Sequence, residues 1–385
     1  MKTRIINARI VLADGILESG CVVFEDGIIT YVGEENLPAD ISFDAKGQYL
    51  LAGFIDIHCH GGGGYDFMDA TPEQMRRISE FHLSHGTTTL VATTLTDSWE
   101  YIERALDRFR MLGEDRLTLS GVHLEGPWFS PLQCGAQDVS EMENASASKL
   151  RKLKEQYPFI ERVSIAPEVD PALEAGRAAV GMGMVAAIGH TDASFDQTIA
   201  AAENGYSLTT HLYSGMRGVI RKNAYREAGC IEASLYDDRL TVEVIADGKH
   251  LPAALLKFIY KIKGADKICL VTDATRGAGA KEGESIILGR FDGGTEAIIE
   301  DGVAKLPSRE AFAGSVATTD RLVRTVHEFA ELPIWEISKM MSSTPARAMG
   351  YSDRGSIKPG LRADFVLMDA NLCVQNVFFE GNKVR

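Results

Sequence analysis

Apolar residues in the middle of the chain gather in short, nearly unbroken runs that alternate with longer stretches where they recur every three or four positions. Eight such runs are LLAGFIDIH, TTTLVATTL, LTLSGVHLE, IERVSIAPE, MVAAIGH, SLTTHLY, LTVEVIA and KICLVTD. A strand covered on both faces needs apolar residues at successive positions, as in a parallel sheet flanked by helices. The stretches between them, among them TPEQMRRISEFHLSH, SWEYIERALDRFRML, SFDQTIAAAENG and AALLKFIYKIKG, have the spacing of amphipathic helices. Eight alternations of this kind predict an α/β fold, a (β/α)8 TIM barrel over residues 50–349, in preference to an open doubly wound sheet.

The two ends of the chain differ from the middle. TRIINARIVL, CVVFEDG and IITYVGE near the start, and GSIKPGLRADFVLMD and VQNVFFEGNKV near the end, are short runs punctuated by Gly and Asp-Gly, as hairpins are. Chain termini usually lie close together at a surface, so residues 1–49 and 350–385 are expected to form one composite β-sandwich domain beside the barrel. No internal repeat or low-complexity tract is found.

Composition narrows the function. With 385 residues, 45% hydrophobic and 24% charged, the chain is expected to be globular, with one large core or two unequal domains. A net charge of -14 argues against a nucleic-acid partner, because a phosphate backbone rewards Lys and Arg stripes, yet a basic pocket for a small anion can exist inside an acidic protein. Cys21, Cys59, Cys134, Cys230, Cys269 and Cys373 are scattered without metal-knuckle spacing or disulfide density and read as reduced thiols. The opening MKTRIINARIVLADG alternates like a strand, and no apolar run is long enough to span a bilayer, so a cytoplasmic protein without membrane association is expected.

Candidate chemistry sits at the ends of the apolar runs. His58 and His60 end the first, Glu125 the third, His190 and His211 the fifth and sixth, and Asp273 the eighth. Residues two apart in a strand share a face, so His58 and His60 can reach one ion while Cys59 points away. A carboxylate terminating an apolar run, as Glu125 does, calls for a cation or hydrogen-bonded partner. The C-terminal rim of a parallel barrel is where side chains from separate strands converge, and this inventory suits a divalent ion, or two, that activates water. Asp273 is the candidate general base for such a reaction. His123, on the face of Glu125, is either a supporting residue of the site or a satisfied core histidine. His82 and His85 fall late in the helix before the second strand, and are expected near the opposite rim without a metal role; His327 in a helical stretch reads the same way.

The blocks GFIDIHCHGGGG, HLEGPW, IAPE, IGHTDAS, THLYSGM, IADGKH, LVTDAT, FAGS and TPARAMG, with the terminal GSIKPGLRADFVLMD, occur in an order that resembles the N-acetylglucosamine-6-phosphate deacetylase family of the amidohydrolase superfamily. The resemblance covers nearly the whole chain. It implies hydrolysis of the acetamide of an N-acetyl amino-sugar 6-phosphate, in amino-sugar catabolism. It further implies that His58, His60 and Asp273 hold one ion and His190 and His211 a second, with Glu125 between them. Some members lack the His-x-His pair and use one ion; this chain keeps both histidines, so a site able to take two is expected. Zinc or iron is the expected metal, with manganese and cobalt also compatible with these ligands. Many other superfamily members bridge their metals with a modified lysine on the fourth strand, which IERVSIAPE does not offer; that vacancy is filled by Glu125 and argues against dihydroorotase-like readings.

For the substrate, the resemblance points to Ala136 and Gln137 after Glu125, Ser214 and Gly215 after His211, Arg226 in YREAG, Asp247 and His250 in DGKH, and Phe312, Ala313 and Gly314 in FAGS. Arg226 is expected to bind phosphate from the neighbouring subunit of a homodimer, its planar fork suiting that group. Many relatives carry Asn-Ala in place of Ser214-Gly215, and the segment 216–226 looks longer here, with Arg217, Arg221 and Lys222 added. A galacto-configured substrate therefore stays open. The alternatives are another amide hydrolase of the superfamily, with the same ligands but no phosphate anchors, and a catalytically silent barrel used for assembly.

Overall fold

The computed structural model describes residues 1–385 and contains two main sheets. Eight parallel strands, Phe54–Cys59, Thr87–Thr93, Leu119–Glu125, Ile160–Ile165, Val185–Ile188, Leu208–Thr209, Thr241–Ile245 and Ile268–Val271, lie side by side in sequence order. Between the eighth and the first, closure is made by a bridge from Cys59 to Ala274 and by backbone bonds from Asp273 N to His58 O (2.9 Å) and from His60 N to Ala274 O (2.8 Å). The seam of the barrel thus runs through the segments carrying His58, His60 and Asp273.

Burial on both faces explains the unbroken apolar runs: every residue of Thr87–Thr93 and Thr241–Ile245 is buried. Ile55, Ile57, Val91, Leu208, Ile245 and Val271 pack inside the barrel, while a larger cluster fills the layer between strands and helices. The helices begin where local chemistry dictates. Pro72–Ser84 starts at a reciprocal cap between Thr71 and Gln74 with Pro72 in the first turn, and Phe195–Glu203 at the equivalent pair Ser194 and Gln197. Trp99–Arg110 buries Ile102, Ala105, Leu106 and Phe109, the three- and four-residue spacing read from its sequence.

Both termini build the second sheet. Lys2–Leu12 pairs with Gly15–Glu25 on one side, while its first half pairs with Ile41–Asp44 and its second with Tyr49–Ala52 on the other. Tyr49–Ala52 in turn pairs with Phe365–Met368, followed by Val374–Phe379 and Asn382–Lys383. A strand that changes partner midway lets the sheet wrap a core of its own, with Ile5, Ile10, Val22, Phe24, Leu50, Phe365, Leu367 and Phe378 inside. This separate sheet fits the small β-sandwich expected from the terminal patterns. Two details differ from expectation. The run LLAGFIDIH is not one strand: Gly53 divides it, and the sheet of the termini extends through Ala52, past the expected boundary at 49. A side chain at position 53 would run into Thr88, so the crossing takes glycine. The connection after the eighth strand also folds into a three-stranded antiparallel sheet, Ser285–Leu288, Thr295–Glu300 and Val303–Lys305.

No helix is long and apolar enough to cross a membrane. In the terminal sheet Phe365 is fully buried, its ring 5.5 Å from Phe24 and 6.3 Å from Phe378. Phe365→Ala is expected to cost about 3–5 kcal/mol, read as a lowered urea midpoint for that sheet; an unchanged midpoint would contradict this packing.

Candidate metal centre

All six residues singled out at strand ends come together. Glu125 lies at the centre: its Oε1 is 2.9 Å from His211 Nε2, 3.4 Å from His190 Nε2 and 3.5 Å from His58 Nε2, and its Oε2 is 3.2 Å from His60 Nε2. Asp273 Oδ1 stands 3.1 Å from His60 Nε2 and 3.4 Å from His58 Nε2. The set divides into two groups able to hold an ion, His58–His60–Glu125 and Glu125–His190–His211, with the carboxylate common to both. Every member is buried, between 0% and 7% exposed, so the cluster cannot be neutralised by bulk water.

Backbone shape contributes to this convergence. His190 (φ 43°), His211 (φ 25°) and Asp273 (φ 48°) adopt left-handed conformations that cost non-glycine residues energy. Each lies just past the end of its strand, and there its side chain joins the cluster, His190 and His211 against Glu125 and Asp273 against His60. Gly215, with φ 57°, completes the wall because a Cβ there would come 2.7 Å from His190 Nδ1. An alanine at this position does not fit this geometry.

The charges balance only with help. Burial by itself would lower the pKa of His58, but Glu125 and Asp273 raise it to about 9, and the same carboxylates hold His60 well above the usual imidazole value. Burial likewise opposes ionisation of Glu125 and Asp273, yet the imidazoles outweigh it and hold Glu125 far below, and Asp273 below, the ordinary carboxylate range. The two anions thus draw protons toward these imidazoles, whose Nε2 atoms face each other at 3.3 Å. A divalent cation supplies the same charge from one point between those nitrogens, so the donor set fits a metal ion. Oxygen and imidazole nitrogen without thiolate suit zinc, iron, manganese or cobalt.

Around the cluster lies a shell of charges that sequence reasoning missed. His58 Nδ1 meets Glu243 Oε2 at 3.1 Å, and Glu243 is ion-paired to the fully buried Arg162. Asp56 accepts from Thr272 Oγ1 (2.5 Å) and from the amide of His58 (3.3 Å), joining the first and eighth strands; burial raises its pKa to about 6. The signal was available in part: Asp56, Arg162 and Glu243 are charged residues inside the apolar runs FIDIH, IERVSI and LTVEVI, and all three are buried, whereas the neighbouring Glu161 is not. His123 bonds Ser164 Oγ at 2.7 Å, and its ring stands edge-on to His58 with centroids 4.8 Å apart. His82 differs from expectation in place. Its ring reaches Gly61 O (2.9 Å) and Cys59 Sγ (3.3 Å), on the outer side of the first strand just behind the His-x-His pair. His85 instead pairs with Asp320.

A cavity of about 300 Å³ opens onto the cluster, and Ala136, Gln137, Ser214, Gly215, His250, Phe312 and Gly314 line it. Gln137 Nε2 reaches Glu125 Oε2 at 3.0 Å and His190 Nε2 at 3.3 Å, and so touches the candidate ligands themselves. Asp247 does not line the cavity; its Oδ2 holds His250 Nδ1 at 2.8 Å. Ala313 is fully buried behind the wall. Tyr213, Gly135, Leu95 and Leu288 also line the cavity and were not anticipated; Leu288 comes from the three-stranded sheet in the last connection. Arg226 is not among the lining residues. It lies exposed on the hairpin Ile220–Lys222/Tyr225–Glu227, where Arg217 ties the hairpin through Glu227 (2.7 Å).

A parallel barrel with imidazoles and carboxylates gathered at the ends of its strands defines a metal-dependent hydrolase scaffold. The sequence matches the Amidohydrolase family over residues 49–384, and the chain belongs to that family of metal-dependent enzymes. It is 30% identical over 383 residues to an N-acetylglucosamine-6-phosphate deacetylase of Lysinibacillus sphaericus, covering 97% of this chain and 96% of that one. It is 32% identical over 388 residues to an N-acetylgalactosamine-6-phosphate deacetylase of Escherichia coli O157:H7, covering 98% of each. The fold superimposes on the crystal structure of N-acetyl-D-glucosamine-6-phosphate deacetylase from Mycobacterium smegmatis with a TM-score of 0.91 and 32% identity, over the full length of both chains.

An entering cation must displace the protons held on His58 and His60, because only neutral imidazole ligates. With the pKa of His58 raised to about 9, metal affinity should climb as pH rises from about 6.5 to 9. The metal-free fold should respond with the opposite sign: stabilisation from this proton is complete below about 6.5 and lost as pH rises through 9. Calorimetric titration with zinc at pH 7.5, in buffers of differing ionisation enthalpy, should register release of roughly one to two protons per site; no release would contradict this charge assignment.

Proposed function

We propose that the protein deacetylates N-acetylglucosamine 6-phosphate to glucosamine 6-phosphate and acetate in amino-sugar catabolism. The observation that carries this reading is the pocket: a buried donor set fit for metal at its floor, walled by Ala136, Gln137, Ser214, Gly215, His250, Phe312 and Gly314 from the set that the family resemblance assigns to the substrate. Full-length similarity to deacetylases of acetylated amino-sugar phosphates supports the substrate class. A galacto-configured substrate is the second reading, favoured by the 32% identity to an N-acetylgalactosamine-6-phosphate deacetylase over 98% of both chains. Ser214 and Gly215, in the wall beside His190, are where the choice between the two sugars would be made.

His58, His60 and Asp273 would hold one ion and His190 and His211 a second, with Glu125 common to both; zinc or iron is the proposed metal, one or two per subunit. Bound there, the metal supplies a Lewis acid that polarises the acetyl carbonyl and makes water more acidic. Asp273, ionised and lining the cavity, takes the proton from the attacking water. It then returns that proton to the amine nitrogen as the C–N bond breaks, so one carboxylate acts as base and then acid. Gln137 and His250 orient the acetamide and the sugar, with His250 fixed by Asp247. Phe312, its ring 4.7 Å from that of His250, closes the apolar side.

Arg226 would anchor phosphate from the partner subunit of a homodimer: in its own chain it is exposed on a hairpin and absent from the cavity wall, so its use requires a second copy. Residues from Phe54 to 349 would form the catalytic unit and the sheet built from residues 1–52 and 350–385 a companion domain, in a cytoplasmic enzyme.

Acetate release from the 6-phosphates of N-acetylglucosamine and N-acetylgalactosamine, on chelated protein with zinc or iron restored, tests the reading. Turnover of at least one is expected, and inertness toward both under every metal would sink it. Asp273→Asn should lower kcat by about 10²- to 10⁴-fold while circular dichroism stays unchanged; near-normal turnover would remove Asp273 from this role. Arg226→Ala should raise KM for the phosphorylated sugar roughly 10- to 100-fold, as expected for loss of a charged hydrogen bond of about 1.5–3 kcal/mol. Turnover of the unphosphorylated sugar should not change, and equal effects on both substrates would rule out phosphate anchoring.

A further inference from the structure

Glu243 lies in the middle of the seventh barrel strand, fully buried, where every neighbour in the run is apolar or small. Its two oxygens are divided between different tasks. Oε1 is taken by the Arg162 guanidinium, while Oε2 accepts from His58 Nδ1 at 3.1 Å and from the backbone N–H of His211 at 3.1 Å. Arg162 continues the pattern by donating to Ile57 O (3.1 Å) and to Thr210 Oγ1 (2.9 Å), the residues immediately before those two histidines. A single ion pair therefore grips both halves of the cluster, one histidine by its ring and the other by its main chain.

Fold stability alone does not account for this arrangement, because a buried ion pair usually contributes no more than apolar residues of the same size would. Its contacts are directed. Since a carboxylate can only accept, Glu243 requires the proton of His58 on Nδ1 and so turns the Nε2 lone pair toward Glu125 and Asp273. The bond to His211 N restrains a residue whose φ of 25° is otherwise unfavourable. By contrast, His60 Nδ1 and His211 Nδ1 have no partner, and His190 Nδ1 meets only the neutral carbonyl of Gln133, at 2.8 Å. We propose that Glu243, itself oriented by Arg162, is the positioning residue of the metal centre, presetting His58 and His211 together so that loss of its charge loosens the whole site.

The inference rests on the reading of the cluster as a metal site, and cobalt(II) binding to the full chain separates the two. The stripped protein, Glu243→Gln, and Glu243→Gln combined with Arg162→Met, which removes the buried cation left without a partner, are titrated with cobalt(II) and followed by visible absorption. Both variants should bind roughly 10- to 100-fold more weakly with a changed ligand-field spectrum, at unchanged circular dichroism. Folded variants with the affinity and spectrum of the unaltered chain would overturn the inference alone. Failure of both to fold would overturn it too, by making the pair a requirement of the barrel. No cobalt uptake by the unaltered chain would overturn the metal reading itself.

Discussion

Four imidazoles and two carboxylates stand within a few ångströms of each other at the floor of a cavity, almost wholly withdrawn from solvent, and the rest of the barrel is arranged around that concentration of charge. Isolated, any of these carboxylates would lose its charge on burial. Together they are mutually stabilising only if positive charge is supplied at the point where their oxygens and the Nε2 atoms converge. Protons on His58 and His60 meet that requirement in part, and a divalent cation meets it better, from one position and without two N–H groups directed at one another. Metal-binding chemistry is therefore a consequence of how this interior balances its charge, before any substrate is considered.

The fold maintains the balance through its connections. The seam between the first and eighth strands is sealed by backbone bonds of the residues carrying His58, His60 and Asp273, and by Asp56 bonded to Thr272. The Arg162–Glu243 pair adds a tie across the barrel from the fourth and seventh strands to the first and sixth. Strand ends that would otherwise splay are thereby held at the same level. On the other side of the first strand, the terminal sheet passes directly into the barrel at Gly53, so the His-x-His segment is anchored within a few residues of its start. The cavity above takes its walls from the connections, which vary far more freely than the strands beneath them.

Much of this is legible in the sequence. Runs such as TTTLVAT are apolar throughout because both faces of a barrel strand are covered, and that requirement is visible residue by residue. The six candidate ligands stand out because a carboxylate or imidazole that ends a buried run must find a counter-charge or a hydrogen-bond partner there, and the structure brings all six together. Boundaries are less visible. In LLAGFIDIH nothing in hydrophobicity separates Leu51, buried in the terminal sheet, from Ile55, buried in the barrel; only the collision of a side chain at position 53 with Thr88 does so. His82 is misplaced by the sequence pattern for a related reason, since position along a helix sets the height of its backbone, not where a long side chain and a folded loop at Gly61 will meet.

Sequence by itself determined the barrel, the sheet shared by the two ends, and the identity of the convergent imidazoles and carboxylates, because strand burial and strand-end position are written in local pattern. Tertiary structure decided the rest. Which oxygen of Glu125 faces which histidine, that Glu243 serves His58 and His211 at once, that Gly215 must lack a Cβ beside His190, and that Arg226 lies outside its own cavity all depend on distances between segments far apart in the chain. Those distances are set by closure of the barrel, a property of the eight strands together that no single stretch of sequence contains.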